Sequence, residues 1–356
     1  MLMRQILVLF LVFSHPMNND AILQINELLS TSKRIAIIPH RSPDGDAMGS
    51  TLGLMHFLKK LNHTPIVIAP NDFPDFLAWL PGSEDVLVFE NDKNAVTSIL
   101  NQVDLVFTLD FNALHRTGEM EHVLNKLKVP FVMIDHHQAP NSYALVTYSD
   151  TTMSSTCEMV YNFISFLDKT ELIDKTIATC LYTGIVTDTG SFKYRSTTAK
   201  THQITAKLLT IGIDNSQIHN QLFDNNSYHR LQLLGRSLQN MKVLPEYKTA
   251  YITLSQNELD EFCYTKGDTE GTVNYGLTIK GIEFAAIFIE NKAENIIKIS
   301  FRSIGSFDVN QFARNYFQGG GHINAAGGKS ELSMEETIAK FEKIVVEQNV
   351  VNQLSN

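Results

Sequence analysis

The stretch IAIIPHRSPDGDAMGS, Ile35 to Ser50, decides how the chain is read. An apolar run stops at His40, two carboxylates follow at Asp44 and Asp46, and a helical pattern opens at Ala47. A histidine and two acids thus stand close together at the end of an apolar segment, as do Asp135, His136 and His137 further on. Adjacent histidines after an acid are costly in a core unless they coordinate something. Taken singly, each has an ordinary explanation. An Asp after a strand is usually a turn former or a helix cap, and Asp46 directly before Ala47 fits that role. A calcium loop of the EF-hand kind needs a third acid at the fifth place, where Met48 stands, so that reading fails.

The surroundings resolve what the stretch alone leaves open. From Asn18 to about Gly190, apolar runs (RIAIIP, PIVIA, DLVFTLD, PFVMID) alternate with helical or mixed segments. Unbroken apolar strands joined by helices imply a parallel sheet covered on both faces. Met48, Leu52, Met55 and Leu58 recur at helical spacing over Ala47 to Leu61. Ser155 and Glu158 have the spacing of a capping box before CEMVYNFISFL. Thr176 to Val186 reads as a buried helix. From Thr198 to Val243 the chain is polar and helical, with no strand pattern. Strands return after Lys248 (TAYITL, EFAAIFIE, IIKISFRS), followed by a glycine-rich turn, GGGHINAAGG, and a last helix from about Ser333. The expected fold is α/β. It comprises an N-terminal parallel-sheet domain over 17–205, a helical linker over 206–244 and a smaller α/β domain over 245–347.

Composition supports this. Of 356 residues, 44 % are apolar and 19 % charged, enough for a real core. A net charge of −9 argues against broad binding to a phosphate backbone. Three scattered cysteines, Cys157, Cys180 and Cys263, form no CxxC and suggest a reducing, cytoplasmic setting. The apolar run Ile6 to Phe13 is too short to span a bilayer, which takes about 20 residues. It is followed by no A-x-A-like cleavage site. Residues 1–16 are therefore expected to be an extension ahead of a working start at Met17.

Four acid- or histidine-bearing sites sit at the ends of apolar elements: His40 with Asp44 and Asp46; Asp110; Asp135-His136-His137; and Asp188. In an open α/β sheet the carboxyl ends of the strands share one edge, where ligands bind, so distant sites converge. Carboxylates with two imidazoles and no thiolate suit Mn²⁺ or Mg²⁺ better than structural zinc. Six ligands exceed what one ion takes, and two ions about 3.5–4 Å apart would use them all.

HRSPDGDAMGS, LDFNALHRTG, IDHH and TGIVTDTGSF, in that order, resemble the DHH phosphoesterase superfamily. FRSIGSFDVNQFA and GGGHINAAGG are similar to its DHH-associated substrate-binding domain. Within the superfamily, the chain looks most like the two-domain bacterial oligoribonuclease/pAp phosphatases. The resemblance implies that His40 and Asp44 ligate one Mn²⁺, and that Asp46, His136 and Asp188 ligate the other. It implies that Asp110 bridges them and that His137 contacts the scissile phosphate. It makes Asp135 a group that orients the histidines, Arg116 a contact to substrate phosphate, and Arg302 with Gly319, Gly320, Gly321 and His322 a grip on the nucleotide.

The expected activity is hydrolysis of very short RNA to 5′-mononucleotides, with pAp or linear dinucleotides such as pApA as further substrates. The cofactor is two Mn²⁺ with Mg²⁺ as a substitute, no membrane is involved, and a homodimer is the candidate assembly. The alternatives are an inorganic polyphosphatase or pyrophosphatase, and a non-catalytic nucleic-acid-binding relative. Tyr275 and Phe317 are the aromatic residues singled out for base stacking.

Overall fold

The structure is a computed structural model that describes residues 17–348. The expected extension, residues 1–16, lies outside the described residues. The chain forms two compact units, the first ending at Ile218 and the second beginning at His219, with Pro74–Phe76 grouped with the second.

In chain order the first unit contains α1 (Asn19–Leu28), β1 (Arg34–Ile38), α2 (Gly45–Lys60), β2 (Thr64–Ala69), β3 (Leu87–Val88), α3 (Lys93–Leu100), β4 (Leu105–Leu109), α4 (Glu121–Leu124), β5 (Phe131–Asp135), β6 (Val146–Ser149), α5 (Thr156–Phe166), α6 (Lys175–Asp188) and α7 (Ala199–Thr210). Helix α8 (Asn215–Phe223) crosses from one unit to the next. The second unit continues with α9 (Tyr228–Gln239), β7 (Lys242–Leu244), β8 (Thr249–Leu254), α10 (Gln256–Glu261), α11 (Asn274–Leu277), β9 (Phe284–Asn291), β10 (Ile296–Ser303), α12 (Val309–Tyr316), β11 (Gly320–His322), β12 (Ala325–Ser330) and α13 (Met334–Gln348). Among the described residues no helix is long and apolar enough to cross a membrane.

The first sheet is parallel throughout, in the order β3-β2-β1-β4-β5-β6. Ile35–Ile38 of β1 are fully buried, as a central parallel strand covered on both faces requires. Ala36, Ile38, Val106 and Phe131 pack with Val96 and Leu100 of α3 and Leu124 of α4. On the opposite face Phe107 of β4 meets Phe163 of α5 edge-on, with ring centroids 5.9 Å apart. The chain leaves β1 for β2 on one side and later returns to β4 on the other, so the strand order reverses there. The paired residues Ile38 and Thr108 put His40 and Asp110 at the same height beyond the sheet. That crevice is where an open α/β sheet binds ligands.

Helix α2 begins at Gly45, two residues earlier than its apolar pattern indicates. Asp44, not Asp46, is its cap, with Oδ1 accepting from the backbone N–H groups of Asp46 and Ala47 at 3.0 Å each. The expected capping box at α5 is only half formed. Ser155 accepts from Glu158 N, while the Glu158 carboxylate turns inward to the Ser154 and Thr201 hydroxyls.

Close packing fixes α2 against α6. A Cβ at Gly49 would lie 2.5 Å from the Cys180 carbonyl oxygen, and one at Gly53 would lie 2.8 Å from Leu181 Cδ2. From α6, a Cβ at Gly184 would lie 3.0 Å from Asp46 Cα on α2 and 2.2 Å from Cys157 Sγ on α5. At Gly49 backbone meets backbone and nothing larger than glycine fits, whereas at Gly53 the neighbour is the Leu181 side chain.

The second sheet is mixed, in the order β11-β12-β10-β9-β8-β7, with only β8–β9 parallel. One face carries a phenylalanine-rich core with α12 and α13: Phe284, Phe288, Phe301, Phe312 and Phe341. The other packs Ile252, Leu254 and Ile287 on Leu233 of α9 and Leu259 of α10. The stretch expected as a glycine-rich turn is a β-hairpin, β11–β12. Strand β7 lies at the end of the segment that the sequence pattern leaves without strands.

Gly49→Ala should cost about 1–3 kcal/mol, because the added methyl meets a backbone carbonyl that cannot yield without separating two helices. Gly235→Ala, inside α9 with no atom within 4 Å of its would-be Cβ, should instead stabilise by about 0.4–1 kcal/mol. Urea unfolding of the two variants checks the contrast.

Candidate metal centre

Four elements deliver side chains to the edge above β1, β4 and β5. The β1–α2 turn brings His40, Asp44 and Asp46. Asp110 follows β4, His136 and His137 follow β5, and Asp188 is the last residue of α6. Asp110 has φ of +67°, the left-handed region that costs an L-residue roughly 1–2 kcal/mol. Its backbone N–H donates to the Ile134 carbonyl at 3.1 Å, which holds the kink in place.

The geometry centres on Asp110. Its Oδ2 lies 3.4 Å from His40 Nε2, and its Oδ1 lies 3.4 Å from His136 Nε2. His40, Asp44 and Asp110 offer ligand atoms within 4.8 Å of one another, and so do Asp46, His136 and Asp188. Both imidazoles are tied from behind: Nδ1 of His40 to the Arg41 carbonyl at 2.9 Å, and Nδ1 of His136 to the Met153 carbonyl at 3.2 Å. A ring that donates through Nδ1 leaves Nε2 as the ligating atom. Asp46 is seated on the N-terminus of α5, accepting from Thr156 N at 2.6 Å and Cys157 N at 2.8 Å. The Thr156 hydroxyl donates to Asp110 Oδ1 at 2.9 Å. His137 is held differently from His136, with Nδ1 2.7 Å from the buried Asp135 carboxylate. Asp135 thus orients one histidine of the pair, not both as expected. Its Oδ2 is buried and has no hydrogen-bond partner among the described residues.

This crowding has an electrostatic signature. Burial pushes Asp188 up to about 7, with Asp44 and Asp110 adding to it and His136 opposing. Burial, then Asp110 and Asp188, push Asp46 well up. Burial also works against the charged rings of His40 and His136. The facing carboxylates outweigh it and hold both above the usual histidine range. Asp110 goes the other way: burial raises it, but His136 and His40 hold it well below the usual carboxylate range. Carboxylates forced together around two imidazoles are what a hard divalent cation relieves. The donor set, oxygen and nitrogen without thiolate, fits such a cation. Burial pushes the nearby Cys157 thiol up, so it stays neutral.

The remaining expected residues divide between the units. Arg116 lies in a short 3₁₀ segment, Leu114–Met120, close enough that its charge is felt at His40. In the second unit, His322 pairs with Ala325, and Ala325 pairs with Arg302. Residues directly opposite across strands share a face, so Arg302 and His322 project from the same side of the sheet. Gly319 is required there, since a Cβ would lie 1.9 Å from the Gly327 carbonyl oxygen. Phe317 cannot stack on a base: it is 1 % exposed, inside the phenylalanine core. Tyr275 is 42 % exposed and lines a cavity of about 300 Å³ with Arg230 and Asp268. The seat that α5 makes for Asp46 is not visible in the sequence, where Ser155 marks only the start of that helix.

Residues 34–185 match the DHH family, N-terminal domain, and residues 247–348 match the DHHA1 domain. The chain is 30 % identical over 295 residues to the bifunctional oligoribonuclease and PAP phosphatase NrnA of Thermus thermophilus, covering 82 % of this chain and 83 % of that one. It belongs to the DHH family. DHH-family proteins of this kind are hydrolases of phosphate esters, and the chain is therefore a phosphoesterase. The Bacillus subtilis NrnA is 28 % identical over 303 residues, covering 84 % of this chain and 90 % of that one. Among solved structures, an exopolyphosphatase-related protein from Bacteroides fragilis superposes with a TM-score of 0.89 at 39 % identity, covering 93 % of this chain and 97 % of that one. RecJ of Thermus thermophilus, solved with Mn²⁺, shares the fold at 14 % identity and a TM-score of 0.54, covering 92 % of this chain and 54 % of that one.

The raised Asp188 generates a test. A carboxyl whose folded pKa is above its unfolded value holds its proton more tightly when folded. Metal-stripped protein should therefore lose stability as pH rises from about 4 through about 7, with the loss complete above that. Asp188→Asn should raise the melting temperature of metal-stripped protein at pH 8 and flatten the decline. The same variant should lose the gain that wild type shows on adding Mn²⁺. Thermal melts of both proteins with EDTA and with Mn²⁺ give the answer, and equal stripped melting points would remove the crowding argument.

Proposed function

We propose that the chain hydrolyses very short RNA to 5′-mononucleotides, and that pAp and linear dinucleotides are turned over in the same site. The observation that carries this is Asp110, whose two oxygens face two separate trios of metal-suited groups. In this reading His40, Asp44 and Asp110 hold one divalent cation, and Asp46, His136, Asp188 and Asp110 hold the other, with Mn²⁺ the favoured ion. Bound there, such a pair supplies an acidified water and neutralises charge on the phosphoryl oxygens.

The residues around them do the positioning. The Asp135 carboxylate fixes His137 through Nδ1, leaving Nε2 to meet the scissile phosphate. Arg116 contributes positive charge on the His40 side. Arg302 and His322, on one face of the second sheet, grip a part of the nucleotide away from the reacting bond. The glycines of the β11 segment let backbone amides approach a phosphate closely. NrnA relatives named for oligoribonuclease and PAP phosphatase activity support this substrate class. The description of the Bacteroides fragilis structure as exopolyphosphatase-related favours a second reading, inorganic polyphosphate. A product analysis with Mn²⁺, using 5′-labelled RNA dimers to pentamers beside pAp and polyphosphate, separates the two.

The assigned roles predict different defects. Asp110→Ala should abolish turnover and disrupt the metal pair. His136→Ala should lower metal content. His137→Ala should keep the metal and lose about 10²–10⁴-fold in kcat. Metal analysis and kinetics on an RNA dimer distinguish them, and equal metal loss in both histidine variants would reverse the division of roles. His322→Ala should harm RNA dimers and trimers more than a small activated phosphodiester, because remote binding energy serves only substrates that reach it. A ratio of the two rates matching wild type would remove His322 from the grip.

A further inference from the structure

The chain beyond Asp188 has an unusual backbone. Gly190, Ser191 and Phe192 all have positive φ, +55°, +56° and +68°. Two of these are not glycine, and a bulky residue in that region is a genuine outlier. Such conformations persist only where the surroundings over-determine them. Here the pins are explicit. Ser191 N donates to the Val186 carbonyl at 2.8 Å, and Lys193 N and Tyr194 N both donate to the Thr189 carbonyl, at 2.9 and 3.0 Å. Phe192 N donates to the buried Thr189 hydroxyl at 3.0 Å, and the Phe192 ring packs on His202 of α7 with centroids 5.2 Å apart.

The result is a rigid loop that turns Lys193, Tyr194 and Arg195 to solvent. A Cβ added at Gly190 would lie 2.6 Å from Tyr194 Cζ and 2.8 and 3.0 Å from its two Cε atoms. That position is over the ring face, so one face of Tyr194 rests on Gly190. The residue is still 43 % exposed, so the ring keeps surface open to solvent. Among the described residues, neither Lys193 nor Arg195 has a salt-bridge partner within 4.0 Å. An aromatic face and two cations therefore stand just past a candidate metal ligand, in a chain of net charge −9.

We propose that Tyr194, flanked by Lys193 and Arg195, is a stacking platform for a nucleobase of the oligonucleotide being cleaved, with the two cations meeting its phosphates. This rests on the reading of short RNA as substrate and assigns a second contact to it within the first unit. A π-face accepts any base, which suits an enzyme without sequence preference. Phosphate contacts set register without reading sequence. The pinned backbone presents the ring with little further ordering to lose on binding. Tyr194 N is bonded to the carbonyl of Thr189, the residue after Asp188, so the backbone of the platform is anchored next to that candidate ligand.

The test compares wild type, Tyr194→Ala, Tyr194→Phe and the double variant Lys193→Ala/Arg195→Ala. Two readouts are needed: kcat/KM on an RNA trinucleotide relative to bis(p-nitrophenyl) phosphate, and equilibrium binding of a phosphorothioate trinucleotide. Tyr194→Ala should lower both the kcat/KM ratio and the binding by about 5- to 150-fold, with metal content unchanged. Tyr194→Phe should retain wild-type values, and the double variant should weaken binding with a reduced salt dependence. The platform is overturned if Tyr194→Ala leaves ratio and binding at wild-type values. It is also overturned if Tyr194→Phe is as damaging, since the hydroxyl and not the ring would then matter. Failure of wild type to cleave RNA would instead sink the substrate reading, and the binding arm would still decide the platform.

Discussion

One carboxylate has to face two ways. Asp110 sits buried beyond the end of β4 with an imidazole against each oxygen. That requires β4 to lie between β1 and β5, which is the order the sheet adopts. It requires His40 and Asp110 at equal height, which the β1–β4 register provides. It also requires an outlying backbone conformation, held by Ile134 of the next strand. The parallel sheet is therefore more than a scaffold. Its strand order and register are what bring opposite-facing partners to one side chain.

Helix α5 secures the same point from another direction. The N–H groups of Thr156 and Cys157 take Asp46, and the Thr156 hydroxyl takes Asp110. Two carboxylates from segments far apart in sequence are thus held by one helix end, where the backbone dipole favours negative charge. The second unit works on different terms. Its glycine hairpin allows strands to approach where a Cβ at Gly319 or Gly321 would collide, and the row His322, Ala325, Arg302 follows from strand pairing alone.

Much of this is legible in the sequence, and the limits have physical causes. Strands β1, β2, β4 and β5 are readable because each is an unbroken apolar run. Strands β3, β6 and β7 are two to four residues long and leave no such mark. The clustering of His40, Asp44, Asp46, Asp110, His136 and Asp188 is readable because each follows or ends an apolar element, and parallel sheets align those ends. Which acid caps α2 is not readable, since both Asp44 and Asp46 suit the role and only geometry chooses. GGGHINAAGG reads as a turn because glycine is the common turn former, yet here it forms paired strands, with Gly319 and Gly321 too close to the opposite backbone for a Cβ. Phe317 looks available in sequence and is core in structure, because aromatic character carries no information about which face of an element it occupies. The loop after Asp188 is invisible to pattern reading, since its conformation depends on hydrogen bonds to Val186 and Thr189 and not on composition.

The glycine seam between α2 and α6 bears on ion size. Asp46 and Asp188 ride on two stiff rods locked backbone to backbone, not on loops that can splay apart. Calcium asks for six to eight oxygens at about 2.3–2.6 Å in a forgiving shell, whereas magnesium keeps near-octahedral contacts at about 2.0–2.1 Å. Carboxylates that cannot draw back favour the small ion and penalise the large one. Discrimination by ionic radius would then be set partly at Gly49, three residues beyond Asp46, a position that never touches the ion.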